Sequence, residues 1–374
     1  MQLYVHIPFC KSKCRYCDFN SYACFDNTTI LRYLNALNKD IALAGDKYRH
    51  ATIDTIYIGG GTPSLLCEND VKSVADAIKN HFDLSMLKEW TIECNPESIT
   101  ESKLQGYRDM GVNRISVGVQ SLDDDNLKAI GRIHSSGVAL DKIKLANEYF
   151  DNVSCDLIIG LPYDDENSVR KEVATLAPLV KHISMYELIV EDGTPLKSMV
   201  ERGEIELPCD DDTQSLFEAA MDEASKRGLE RYEISNFAKK GLISRHNFGY
   251  WTREEYLGVG AGAYSLVKTA DGRKALDRET RFANAKDVNQ YILYIENSQN
   301  FDDIHRVDVE YLSGKDVENE KIMLGLRTTR GVESNLLTIP DNLKNFFEET
   351  GEFTRLNARG MAVMNSVLTE ILDI

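Results

Sequence analysis

Three cysteines, Cys10, Cys14 and Cys17, stand close together in the opening stretch MQLYVHIPFCKSKCRYCDFN. Thiolates bind soft metals, and clustered cysteines in a chain with no visible export signal point to metal ligation rather than to disulfides. Two metal chemistries compete for them. A structural zinc site wants four ligands in paired C-x2-C units, yet Cys24, Cys67, Cys94, Cys155 and Cys209 are singletons. Three thiolates suit a cubane [4Fe–4S] cluster, whose fourth iron then has no protein ligand and is open to a small molecule.

Further residues with chemical potential gather at the ends of β-branched runs. Gly59, Gly60, Gly61, Thr62 and Pro63 follow one such run, Glu93 and Gln120 end two others, and Asp156 lies within a fourth. In α/β folds the carboxyl ends of the strands are where ligand sites are built. The triple glycine reads either as a tight turn or as backbone bare enough to approach a ligand. Glu93 and Asp156 sit in otherwise apolar runs, where an unpaired carboxylate is costly, so each needs a partner: an ion pair, a helix cap or a polar ligand. Another cluster is His246-Asn247-Phe248-Gly249-Tyr250-Trp251. An imidazole beside Tyr and Trp combines an iron ligand with flat apolar surfaces for a macrocycle, although a histidine also serves purely structural hydrogen bonds. Cys24 and Cys209 are the competing sulfur ligands, and His6 reads as a residue that shapes the cysteine loop.

The elements that must position these residues alternate regularly. Leu3 to Ile7, Thr55 to Ile58, Trp90 to Cys94, Arg114 to Val119, Val153 to Ile159 and Ile183 to Leu188 read as strands. Segments near 30–44, 68–81, 101–109, 139–149 and 166–179 read as helices between them. That rhythm implies βα units on a parallel sheet, and six units are too few for a closed eight-fold barrel, which leaves an incomplete barrel or an open doubly wound sheet. A helix near 213–227 and a strand near 231–235 lead into ISRHNFGYWTREEYLGVGAGAYS, read as loop and short strand. Helices near 286–297 and 308–325, then a strand pair and a final amphipathic helix, suggest a small helical or winged-helix-like domain over 286–374, after a first domain over 1–285.

Composition narrows the partners. With 60 acidic against 43 basic residues the net charge is −17, which opposes the counter-ion release that drives binding to polyanions, so nucleic acid is not expected as a partner. The longest apolar runs are far short of the roughly 20 residues that span a bilayer. A cytoplasmic protein that is not integral to a membrane is expected.

The motifs YVHIPFCKSKCRYCDF, IYIGGGTPSLL, IECNPE, RISVGVQSLDDDNLKAIGRIH and CDLIIGLP, in this order, resemble the radical S-adenosylmethionine (SAM) superfamily and, within it, the oxygen-independent coproporphyrinogen III oxidase family. The resemblance implies an incomplete parallel (β/α)6 barrel of radical SAM type and a cluster held by Cys10, Cys14 and Cys17. It also implies SAM contacts from Tyr4, Tyr16, Gly60, Gly61, Thr62, Glu93, Gln120, Arg132 and Asp156. The family's oxidases carry a fourth cysteine at the position of Phe19 and a long N-terminal arm. Phe19 and the short stretch before Tyr4 are instead similar to the heme chaperone (HemW-like) branch, as is the H-N-x-x-Y-W stretch. That branch implies a heme-binding protein that passes heme to apo-hemoproteins, with Phe19, His246, Tyr250 and Trp251 beside the cofactors. It is compatible with peripheral contact with membrane hemoproteins and with a homodimer. The alternative is an oxidase that decarboxylates coproporphyrinogen III in porphyrin biosynthesis, a reading that Phe19 disfavours. A third reading, a radical SAM enzyme acting on nucleic acid, is disfavoured by the charge.

Overall fold

A computed structural model describes residues 1–23 and 25–372. Six strands follow one another in parallel: β1 (Gln2–Ile7), β2 (Thr55–Gly60), β3 (Glu89–Cys94), β4 (Arg114–Gln120), β5 (Val153–Ile159) and β6 (His182–Glu187). Their side chains are buried on both faces, as β-branched runs between crossover helices require. The crossovers are helices α1 (Asn27–Lys47), α2 (Glu68–His81), α3 (Glu101–Met110), α4 (Ser136–Tyr149) and α5 (Glu166–Leu176). Asp26, Thr100, Ser135 and Asp165 each accept a backbone N–H at a helix start, so these boundaries are local and readable. Helix α6 (Asp210–Lys226) packs against α5, and the short strand β7 (Asn236–Ala238) runs antiparallel beside β6.

The order in the main sheet continues past β1 with strands from the later chain. Strand β8 (Tyr256–Val259) lies parallel to β1, followed outward by antiparallel β9 (Tyr264–Thr269), β10 (Ala275–Ala283) and β11 (Val307–Leu312). This corrects two expectations. The stretch 243–265 contains helix α7 (Arg245–Trp251) and a seventh parallel strand rather than mostly loop. Its helix start is capped from outside: the Glu89 carboxylate, in β3, accepts from Arg245 N and His246 N at 3.0 Å each. Ser244 adds a local cap, accepting from Asn247 N at 3.4 Å, whereas the Glu89 contribution has no signal near residue 245 in sequence.

The second correction is 308–325, expected as one helix. Val307–Leu312 is an edge strand, and the helix α9 (Lys315–Gly325) starts only after Gly314, whose φ of 52° suits glycine. The VDVEYL alternation of period two is decided by pairing with β10.

Helix α8 (Val288–Asn297) buries Val288, Tyr291, Ile292 and Ile295 in the same core as α1. A second core, containing Ile322, Leu326, Val332, Leu343, Leu356 and Val367, lies between α9 (Lys315–Gly325), helix α10 (Met364–Leu372) and a three-stranded antiparallel sheet. The expected cut between 285 and 286 falls inside the first core, and on packing grounds we propose the division at Ser313–Gly314.

Candidate functional site

The cysteine loop leaves β1 and is tied down by backbone bonds at both ends and in the middle. Phe9–Cys10 pairs with Tyr22–Ala23, and Tyr22 N donates to Pro8 O at 2.8 Å. Arg15 N donates to Ile130 O at 3.0 Å, its guanidinium donates to Ala129 O at 3.1 Å, and its carbonyl accepts from Leu196 N at 2.9 Å. Lys13 Nζ donates to the carbonyls of Phe19 and Ser21 at 3.3 and 3.1 Å, folding the end of the loop back on itself. The positions of the three thiols are thus set by residues far apart in the chain.

The three thiols are half-buried and line one cavity. A polar group stands beside each: Thr62 Oγ1 donates to Cys10 Sγ at 3.5 Å, Arg132 Nη1 to Cys14 Sγ at 3.5 Å, and Ser21 Oγ lies 3.8 Å from Cys17 Sγ. Gly61 stands so near that a Cβ on it would meet Cys10 Sγ at 3.0 Å and Phe9 O at 2.8 Å. Among the described residues no three His, Cys, Asp or Glu side chains converge to hold a single metal ion. A cubane takes its three thiolates on three different irons, and three half-buried thiols around one cavity, each beside a polar partner, suit that chemistry.

The same cavity is lined by Tyr16, Gly60, Glu93, Gln120, Arg132 and Asp156, which the structure brings together from the cysteine loop, strands β2 to β5 and the segment that follows β4. Glu93 Oε1 accepts from Tyr57 at 2.7 Å and Oε2 from Gly60 N at 3.1 Å; burial pushes its carboxyl up to about 7 against these bonds, with the nearby Asp156 adding to the rise. Burial raises Asp156 as well, although Ser184, Arg114 and Arg132 oppose the rise. Both carboxylates therefore face the cavity without a salt-bridge partner among the described residues. Gln120 holds a left-handed φ of 70° at the register shift between Gly118 and β5, a strained conformation of the sort that functional sites retain.

Arg132 is drawn inward to the cavity wall. Besides Cys14 it donates to Asn95 Oδ1 at 3.0 Å and Gly118 O at 2.6 Å, while Asn95 Nδ2 donates to Thr62 Oγ1 at 3.1 Å. Asn95 and Tyr57 escaped the sequence reading. Asn95 follows Cys94 directly and Tyr57 lies among apolar neighbours, so only their partners in space mark them.

A second cavity of about 770 Å³ adjoins the first, and Lys13, Phe19, Ser21, Gly60 and Glu93 line both. Phe19 is 71% exposed between them. The rest of its wall is largely aromatic: Tyr4, Tyr22, Tyr250, Tyr256 and Tyr264, with His6. Tyr4 therefore belongs to this cavity, its hydroxyl 2.9 Å from His6 Nδ1, while His6 Nε2 lies 2.8 Å from Asn20 O. His6 does shape the cysteine loop, through that bond.

His246 corrects its expectation as an open iron ligand. Its side chain is fully buried, with Nδ1 2.8 Å from Thr55 Oγ1 and Nε2 2.9 Å from the Tyr250 hydroxyl, and its ring stacks on Tyr57 at 5.2 Å. Burial lowers it to about 3, so it is a neutral imidazole with both nitrogens engaged. Trp251 is half-buried and lines neither cavity. Cys209 is exposed at the start of α6, donating to Asp212 Oδ2 at 3.1 Å, and Cys24 lies outside the described residues.

Comparisons with known proteins agree with this arrangement. The family model described as "Radical SAM superfamily" matches residues 4–176. The heme chaperone HemW of Bacillus subtilis is 37% identical over 333 residues, which cover 88% of this chain and 84% of that protein. HemW of Lactococcus lactis is 34% identical over 88% of this chain and 82% of its own length, and HemW of Escherichia coli is 36% identical over 75% and 74%. The solved coproporphyrinogen III oxidase HemN of Escherichia coli superposes with a TM-score of 0.80 over 98% of this chain and 89% of its own; at 19% identity that likeness concerns the fold. Cysteine loop, strand-end carboxylates and identity over most of the length coincide, and the chain belongs to the radical SAM superfamily and, within it, to the HemW family.

Proposed function

We propose that this protein is a radical SAM heme chaperone, which binds a [4Fe–4S] cluster, SAM and heme and passes heme to apo-hemoproteins. The observation that carries the reading is the identity of 34–37% over most of the chain to proteins named heme chaperones. Phe19 supports it, since an exposed phenyl ring stands between the two cavities where the oxidase pattern has a cysteine. Cys10, Cys14 and Cys17 would hold the cluster, and the cluster when bound supplies an open iron for the amino-acid end of SAM and an electron source.

The chain's own residues do the rest. Gly60 and Gly61 keep the floor of the first cavity free of side-chain atoms, and Glu93 offers a carboxylate at its edge. Asp156, Gln120 and Thr62 provide acceptors and donors for a ribose and an amino acid, and Tyr16 supplies an aromatic wall. Arg132 beside Cys14 adds positive charge next to a thiolate. The tyrosine-lined cavity is of a size and character suited to a flat macrocycle.

Two incubations of the anaerobically reconstituted protein test the proposal. With heme we expect stoichiometric binding, a shifted Soret band and transfer to an apo-hemoprotein; with coproporphyrinogen III we expect no release of carbon dioxide. Turnover of coproporphyrinogen III without heme binding would overturn the chaperone in favour of the oxidase. Cys14→Ala should lose the cluster, measured as iron per chain against about four in the wild type. A full cluster spectrum in that variant would remove the radical SAM basis.

A further inference from the structure

We infer that heme sits in the tyrosine-lined cavity with its iron on the phenol oxygen of Tyr264, and not on His246; the inference rests on the function proposed above. His246 would have to break two hydrogen bonds and leave a fully buried stack on Tyr57 to reach an iron. Its service is structural: it holds the Tyr250 hydroxyl, and Tyr250 in turn packs edge-on against Tyr256 at 4.8 Å in the cavity wall. The H-N-x-x-Y-W stretch thus builds the wall and is not itself the iron ligand.

Tyr264 is placed differently. It lines the same cavity, is 38% exposed, and its hydroxyl donates to Asp308 Oδ2 at 2.7 Å. That partner is supplied by an irregularity. Between Arg281 and Ala283 the pairing of β10 with β11 slips, from Ala283 opposite Val307 to Arg281 opposite Glu310, so β11 carries an extra residue. Asp308 lies in this bulge with a φ of 50°, a backbone conformation that L side chains seldom adopt. Bulges re-aim side chains, and strained positions of this kind cluster at ligand sites. Tyrosine is an established class of heme-iron ligand.

The ligation is balanced without an added reactant. The phenol O–H bond breaks, its proton passes to the Asp308 carboxylate, and an oxygen–iron bond forms to ferric heme, whose oxidation state is unchanged. The hard phenolate suits the ferric ion. Lys13 and Lys286 line the same cavity and offer positive charge to the carboxylates of the macrocycle; Lys286 forms no ion pair among the described residues.

Titration of the full chain with ferric heme, followed by absorption and resonance Raman spectroscopy, tests the assignment. The wild type should show a phenolate-to-iron charge-transfer band and phenolate ring modes. Tyr264→Phe removes one hydroxyl from a partly exposed ring, leaves the fold intact by circular dichroism, and should lose both signatures with at least about tenfold weaker binding. Asp308→Asn should retain heme but need a higher pH to develop the phenolate signature. His246→Gln, which can still hydrogen-bond, should keep the signature. A Tyr264→Phe protein with the wild-type spectrum and affinity would overturn the ligand assignment while heme binding stands. A wild type that binds no heme would overturn the function and the assignment together.

Discussion

Burial of two carboxylates makes their protonation a stability matter. Glu93 is held up to about 7 in the folded chain against an ordinary 4.5, so the unfolded state ionises first and stability falls as the pH rises from about 4.5 to 7. The loss should be about 3 kcal/mol for the ligand-free protein. Urea unfolding at pH 5 and pH 8 measures it, and Glu93→Gln should flatten the dependence; an equal slope in the variant would assign it to other groups. Asp156 has Ser116 Oγ at 3.5 Å and the cavity in front of it. If it accepts ribose hydroxyls, Asp156→Ala should weaken SAM binding by about 1–3 kcal/mol in isothermal titration. Unchanged affinity would return Asp156 to a structural role.

The element most dependent on others is α7, which carries His246 and Tyr250. Its N-terminus rests on Glu89, and its carbonyl at His246 accepts from Gln2 Nε2 at 3.1 Å. Gly249 faces the same glutamine so closely that a Cβ would come within 2.5 Å of Gln2 Cδ. Gly249→Ala must therefore push Gln2 off α7, at a cost of about 1–3 kcal/mol. Thermal unfolding reads that cost, and heme affinity reads any displacement of the cavity wall. A wild-type melting temperature would mean that Gln2 moves aside freely. The glycine in HNFGYW is thus explained by packing against β1 and not by contact with a ligand.

Across the whole molecule, the two cores are joined by an ion network around a buried arginine. Arg253, 2% exposed, donates to Glu279 at 2.7 Å and to Glu320 of α9 at 2.5 Å, and Arg281 also pairs with Glu320. The backbone adds Thr329 N donating to Tyr232 O at 3.0 Å. Removing Glu320 leaves buried Arg253 with Glu279 alone and Arg281 with Glu310, so Glu320→Ala should cost about 1–3 kcal/mol. Hydrogen exchange should then show residues 315–372 opening before the main sheet. Retention of a single cooperative transition would mean that apolar contacts alone dock the second core.

Much of this was legible in the chain itself. The cysteine spacing, the six strands in parallel order and the polar residues at their ends are local patterns, because thiol spacing, β-branched runs and caps such as Asp26 and Asp165 act over a few residues. The fold class and the first cavity followed from them. Tertiary structure decided the rest. Helix α7 takes a second cap from Glu89 of β3, the edge strand β11 needs β10, and Arg132 is drawn in by Asn95, just past β3, and Gly118 of β4. His246 and Tyr264 show the difference most plainly. Both are ring side chains with chemical potential in the sequence, but solvent exposure and the occupancy of their polar atoms depend in large part on neighbours far away in the chain, Thr55 for the histidine and Asp308 for the tyrosine. Burial beside Thr55 and Tyr250 removes the histidine from the cavity, and the bulge in β11 supplies Asp308 as the partner of the tyrosine at its wall.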